Sequence, residues 1–144
     1  MNIPNKLCIL SIICLIFLLP TACSQAPDNG DLDGMWHLRS VEKLANDSVM
    51  DVKEKRIYYS FQLRLISLRR SNLTYSLVGR FNHEQDSLTL HSFVILNKED
   101  QLATKDELKP FYLDSTQSNF GIVKLNKNQL IIRSNEQELC FKKF

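Results

Sequence analysis

Side chains able to hold a metal or move a proton are few in this chain. His37, His83 and His91 have no metal-ligand spacing with one another or with Cys140. Structural or solvent-exposed roles suit them better. Cys140 stands apart from any histidine that would activate it, and its surroundings, Leu139 and Phe141, suit a small half-buried strand residue. Two acid pairs invite an acid–base reading. Asp31 with Asp33 lies in a polar stretch, and Asp106 with Glu107 follows Thr104 in the pattern of a helix cap, so neither reads as a catalytic dyad. There is no Gly-x-Ser-x-Gly elbow, and the four glycines are too few and scattered for a phosphate-cradling loop. The expectation is a non-catalytic protein with no cofactor and no metal.

The segment Asn29-Gly30-Asp31-Leu32-Asp33-Gly34 alternates carboxylates before a glycine, as a calcium loop does. In that register the closing acid falls on Ser40, with Glu42 two places late, so a plain turn from linker to strand is the better reading. Arg64, Arg69 and Arg70 are the densest basic cluster and read as a solvated rim.

One residue has a stronger chemical claim. Met1–Pro20 carries Lys6 and then the apolar run Leu7–Leu19, which is shorter than the roughly 20 residues of a membrane-spanning helix and reads as a secretory leader. Leu19-Pro20-Thr21-Ala22-Cys23-Ser24 resembles the bacterial lipobox, in which small residues precede a cysteine that is acylated and becomes the new N-terminus. Pro20 stands where an aliphatic residue is usual, and ordinary cleavage after Ala26 is the rival. The leader is therefore 1–22, with Cys23 as the lipidation site and 23–33 as a polar tether. Ser24 gives no aspartate-type retention signal, which favours the outer membrane. Loss of the leader removes Lys6 and no acid, leaving 17 basic against 16 acidic side chains. That balance argues against nucleic acid as a partner. Cys140 then has no cysteine to pair with inside the domain.

The chain from residue 34 onward must position these side chains, and its pattern is β. Ile57, Tyr59, Phe61, Leu63 and Leu65 alternate with polar neighbours, and Ile66 and Leu68 continue on the other parity, which predicts a bulge or bend near 65–66. Leu73, Tyr75, Leu77, Gly79 and Phe81 resume the alternation, with Gly79 expected at a bend. Further strands are predicted over Met35–Lys43, Ser87–Leu96, Phe120–Leu125, Leu130–Arg133 and Leu139–Phe144, joined by short polar turns. The Thr104–Glu107 capping box predicts one helical turn near 104–110, stopped by Pro110. The fold class is all-β: an antiparallel up-and-down meander closing into a small barrel, with 34–144 as its single domain.

Gly34-Met35-Trp36 at the start of the first strand looks like the Gly-x-Trp motif that opens the lipocalin barrel. Leu108–Phe111, Phe120–Ile122, Leu130–Ile132 and Leu139–Phe144 add to the likeness. Together they resemble the small lipocalin-like lipoproteins of Gram-negative gut anaerobes. The Thr-Asp-Tyr motif of true lipocalins is not found, and the mature chain is shorter than theirs. The resemblance implies that Gly34 and Trp36 are structural, with Trp36 plugging the closed end beneath a cation from a late strand, Arg133 or Lys142.

Two functions remain. In one, a small hydrophobic or amphipathic ligand lies in the barrel, lined by Tyr59, Phe61, Leu63, Tyr75, Leu77 and Phe81. In the other, the barrel is filled and the domain is a structural or protein-interaction module, with Tyr58, Arg64 and Arg69 exposed. The interior decides between them: a hollow one favours the ligand, a filled one the module.

Overall fold

The computed structural model describes residues 28–98 and 101–144. The leader and Cys23 lie outside them.

Among the described residues nine antiparallel strands follow one another: β1 (Gly34–Lys43), β2 (Ser48–Asp51), β3 (Ile57–Gln62), β4 (Leu65–Arg70), β5 (Leu77–Glu84), β6 (Ser87–Ile95), β7 (Ser118–Leu125), β8 (Gln129–Arg133) and β9 (Gln137–Lys143). Each strand from β3 to β9 pairs with the next, and β9 returns to pair with β1 along its length. The ring is a closed eight-stranded barrel of the expected meander type, and closure leaves no long edge to template aggregation. β2 stands outside the ring. β1 pairs with β3 through Gly34–His37 and with β2 through Ser40–Lys43, so β2 and β3 behave as one strand interrupted by the 3-10 turn Lys53–Lys55.

Residue alternation sets what faces inward. Ile57, Tyr59 and Phe61 of β3, Ile66 and Leu68 of β4, and Leu77 and Phe81 of β5 are buried, while their neighbours face out. The predicted parity holds for β3 and β5. The bulge or bend predicted near 65–66 is a sharp one, a tight hairpin centred two residues earlier: Gln62 pairs with Leu65, and Leu63 takes a left-handed φ of 58° in the turn. That turn moves Leu63 and Leu65 to the surface, 41% and 44% exposed. Tyr75 and Leu73 precede β5 in a loop rather than extending the strand.

Gly79 does more than bend the sheet. A methyl group there would meet the Phe93 ring at 2.5 Å, because β5 and β6 slip register between Val78 and Arg80 and the ring fills the gap.

Both ends of the barrel are covered. At one end a 3-10 turn, Gly30–Leu32, buries Leu32 completely and is tied to the β3–β4 turn by Asn29 Nδ2 donating to the Leu63 carbonyl at 2.8 Å. The part of the tether from Asn29 onward is thus folded into the domain, because Leu32 is apolar and finds the open end of the core. At the other end lies the predicted helical turn, α1 (Lys105–Leu108), running into a 3-10 turn over Lys109–Phe111. Glu107 accepts from the Thr104 backbone N–H at 2.7 Å, closing the capping box. Leu108, Phe111 and Leu113 all drop into the core from this plug.

Candidate functional site

The six side chains proposed as a ligand wall do not behave alike. Tyr59, Phe61, Leu77 and Phe81 face inward and are brought together, but as packed core: each is at most 4% exposed. Phe61 meets Phe81 edge to face at 5.1 Å, and Tyr59 lies 4.9 Å from Phe141. The Tyr59 hydroxyl donates to the Phe111 carbonyl at 2.5 Å, so this polar handle is already spent on the plug. Burial holds its phenol far above the ordinary tyrosine range. Tyr75 sits at the mouth, its hydroxyl donating to the Glu107 carbonyl at 3.0 Å and its ring 6.4 Å from Phe111. Leu63 leaves the set, being exposed in the hairpin turn. With Trp36, Leu38, Ile66, Leu68, Leu90 and Phe141 also buried, this interior is filled by its own side chains.

Trp36 is fully buried beneath the Gly30–Leu32 turn, with its indole N–H donating to the Leu32 carbonyl at 2.8 Å. The cation over it is neither Arg133 nor Lys142. It is Lys143, whose Nζ lies 4.4 Å from the ring centroid and donates to the carbonyls of Asp31, at 2.8 Å, and Asp33. Register explains the correction. β9 pairs Lys143 with Trp36, while Lys142 falls on the outward parity opposite His37. Arg133 also faces out and is ion-paired with Glu138 at 2.5 Å. Gly34 accommodates this lysine: its φ is +119°, and a methyl group there would lie 2.8 Å from the Lys143 stem.

The titratable side chains are engaged locally. His37 stacks on Tyr58 at 4.9 Å and its Nε2 lies 3.0 Å from the Lys53 carbonyl. His83 contacts the Gln85 carbonyl at 3.1 Å, and His91 the Ser92 hydroxyl at 2.8 Å. Asp33 accepts from the Asn29 backbone and side chain, as a turn cap does. Asp106 pairs with Lys109 at 2.7 Å on the surface, and that hydrogen bond holds its carboxyl below the usual range. Cys140 is half-buried in β9, and desolvation raises its thiol, which disfavours the nucleophilic thiolate. Among the described residues no three His, Cys, Asp or Glu side chains are grouped to hold a metal.

Open clefts lie at the surface. One cleft, of about 380 Å³, runs over the outer wall of β1, β3 and β4 to the β4–β5 loop and includes Met35, Tyr58, Arg69, Arg70, Leu73 and Phe144. Tyr58 and Arg69 are directly paired across β3 and β4, so the aromatic and the cation share one outer face. Two of these residues, Tyr58 and Arg69, are foreseeable as exposed. The cleft itself is not, because Phe144 reaches Tyr58 only through barrel closure.

The barrel, its Gly-x-Trp opening and the plugged ends define a lipocalin-like domain, a fold whose families typically bind rather than catalyse. The family model described as lipocalin-like domain matches residues 15–144, and the chain belongs to that family. No curated protein matches the sequence. Among solved structures, a lipocalin-like protein from Bacteroides uniformis superposes with a TM-score of 0.64 at 20% identity, covering 80% of this chain and 100% of that one. An uncharacterized protein from Bacteroides eggerthii gives 0.59 at 16% identity, over 78% and 99% of the two chains. A protein from Burkholderia xenovorans gives 0.54 at 15%, over 87% and 96%. At these identities the likeness is one of fold.

Proposed function

We propose that this is a non-catalytic binding protein of the bacterial envelope, lipid-anchored through Cys23 at the outer membrane, which meets an amphipathic ligand on the outside of a filled barrel. The observation that carries the reading is the open cleft of about 380 Å³ on the outer wall, since the filled interior by itself favours the interaction module and bars an inner site. Tyr59, Phe61, Leu77 and Phe81 pack against one another and the Tyr59 hydroxyl is bonded internally, so a guest would have to displace core rather than fill space. A second reading, a protein-interaction module, draws on the β3–β4 hairpin tip, where Leu63 and Leu65 are exposed on either side of Arg64.

A thermal-shift series tests the first reading. Apolar guests with no polar head, such as dodecane, β-carotene and squalene, should leave Tm unchanged, whereas amphiphiles that bind the outer wall should raise it by mass action. Saturable stabilisation by a neutral apolar guest would return the site to the interior.

A further inference from the structure

We propose that the β3–β4 hairpin tip, Leu63-Arg64-Leu65, docks into the headgroup region of the bilayer that holds the lipid anchor, so that the barrel stands on this end. This rests on the reading that Cys23 is acylated, and it names the surface that the anchor brings into contact.

The tether decides which end of the barrel is close. Asn29 donates through Nδ2 to the Leu63 carbonyl at 2.8 Å, so the chain enters the domain at the hairpin tip. Cys23 lies six residues before Asn29. At no more than about 3.6 Å per residue, that stretch cannot exceed about 22 Å. β1, ten residues long, rises about 25 Å along the barrel even when tilted by about 40°. The tether is thus shorter than the barrel is tall, and the domain cannot turn over to present the end that carries the β1–β2 turn. Val49, Met50 and Leu96, exposed at that far end, are held away from the bilayer for the same reason.

The tip suits a boundary between water and hydrocarbon. Leu63 and Leu65 are exposed on either side of Arg64. Leu63 takes a left-handed φ of 58°, which glycine or asparagine adopts at less cost. An apolar side chain open to water at such a turn is stabilised only when something apolar covers it. Leu65 is paired with Arg80 on the outer face, so a second guanidinium flanks the same leucine. Neither Arg64 nor Arg80 is among the ion pairs of the described residues, which involve Lys53, Lys109 and Arg133. Long basic side chains beside leucines lay their stems in the apolar boundary and keep their heads at the level of the phosphates. Acids share this end, with Asp28, Asp31 and Asp33 in the covering segment and Glu84 and Asp86 at the β5–β6 turn. Docking is therefore an apolar insertion rather than an attraction between net charges, and a zwitterionic surface suffices.

The test is tryptophan emission from the full chain, processed in a lipoprotein-forming host and placed in vesicles of brominated phosphatidylcholine, with unbrominated vesicles as reference. Bromine on the acyl chains quenches only side chains that reach it. Leu65→Trp is the reporter, at an exposed strand position that accepts an aromatic residue. Asn46→Trp, in the β1–β2 turn, is the control, and the buried Trp36 of the wild type gives the background. The Leu65→Trp signal should fall about twofold, as for a side chain about 5–10 Å into the boundary, while the Asn46→Trp signal is unchanged. Adding Arg64→Glu to Leu65→Trp should restore most of the emission, because a carboxylate resists entry, and should leave Tm in detergent unchanged.

An unquenched Leu65→Trp on an acylated chain would overturn the docking, leave the anchor standing and return the tip to the protein-interaction reading. Equal quenching of Asn46→Trp would overturn it too, since the barrel would then lie on its side. Mass analysis of the N-terminus in the same sample reads the anchor separately. A chain without acyl groups removes the anchor, and the docking falls with it.

Discussion

Trp36 and Lys143 form a side-chain assembly that joins the first strand, the last strand and the segment before the barrel. The ring is fully buried, and the ammonium lies over it while bonding two carbonyls of the covering turn. Trp36→Ala should therefore cost about 3–5 kcal/mol, the range for a large core aromatic. Lys143→Met keeps the stem and loses the charge, so about 1–2 kcal/mol is expected to go with it. Lys142→Ala, on the outward parity, should change stability by less than about 0.5 kcal/mol. Urea midpoints for the three variants check the order. The tryptophan was legible from Gly34-Met35-Trp36 together with its place after the leader and before the β meander. Its partner was not, because a choice among Arg133, Lys142 and Lys143 depends on the register between strands at opposite ends of the chain. The β1–β9 ladder carries an irregularity between Leu38 and Ser40 that no local pattern discloses.

Among the elements, the plug between β6 and β7 carries the clearest consequence. Its hold on the barrel includes the buried Tyr59 hydroxyl, and burial raises that phenol far above its ordinary value of 10.0. Proton linkage gives the sign. Below pH 10 both folded and unfolded chains keep the proton, and the stability is intact. Above it the unfolded chain releases the proton while the folded chain retains it, so stability falls by about 1.4 kcal/mol per pH unit. Alkaline urea titrations of wild type and Tyr59→Phe test this. The variant should lose about 1 kcal/mol at neutral pH with the hydrogen bond, and should show a shallower decline above pH 10. An unchanged slope would place the titration elsewhere; Tyr75, also raised by burial, accounts for part of what remains.

The capping box, Pro110 and the alternation of β3 and β5 were all readable, since each is a local pattern. The β3–β4 turn was readable only as a bend or bulge near 65–66, not as a hairpin. Its two central residues, Leu63 and Arg64, are not turn formers, and the apolar series 57, 59, 61, 63, 65 runs straight through them. β2 was missed for a related reason: all four of its residues are exposed, so it has no buried face to generate a pattern.

For the whole molecule, the all-β class and the up-and-down order follow from alternation and turn spacing, while the strand count does not, since the sequence offers seven strands and the described residues form nine. Whether the barrel is hollow does not follow either, because the same aromatic and aliphatic residues would line a cavity or fill it. That distinction depends on side-chain volume set against barrel width. The anchoring proposal also belongs at this scale. A single acyl chain holds a protein only marginally, and the multiple chains of a bacterial lipoprotein hold it firmly. Cys23→Ser should move the protein from the membrane fraction to the soluble fraction, as read by fractionation and N-terminal mass analysis. A wild-type protein that is soluble and begins at Pro27 would overturn lipidation in favour of ordinary cleavage.

The pairing of β9 with β1 has a kinetic meaning as well. In the exported chain proposed above, β1 emerges across the membrane first, and its partner Phe141 only after the intervening strands. Until then the emerging chain is an open sheet whose β1 flank is unmatched, with Trp36 lacking its lysine and the core lacking Phe141. Contacts so distant in sequence are slow to form, on the order of milliseconds to seconds for barrels of this kind. The nascent domain thus has a vulnerable interval that ends with its last strand, a window in which a holding chaperone would act and a premature stop would leave an adhesive fragment.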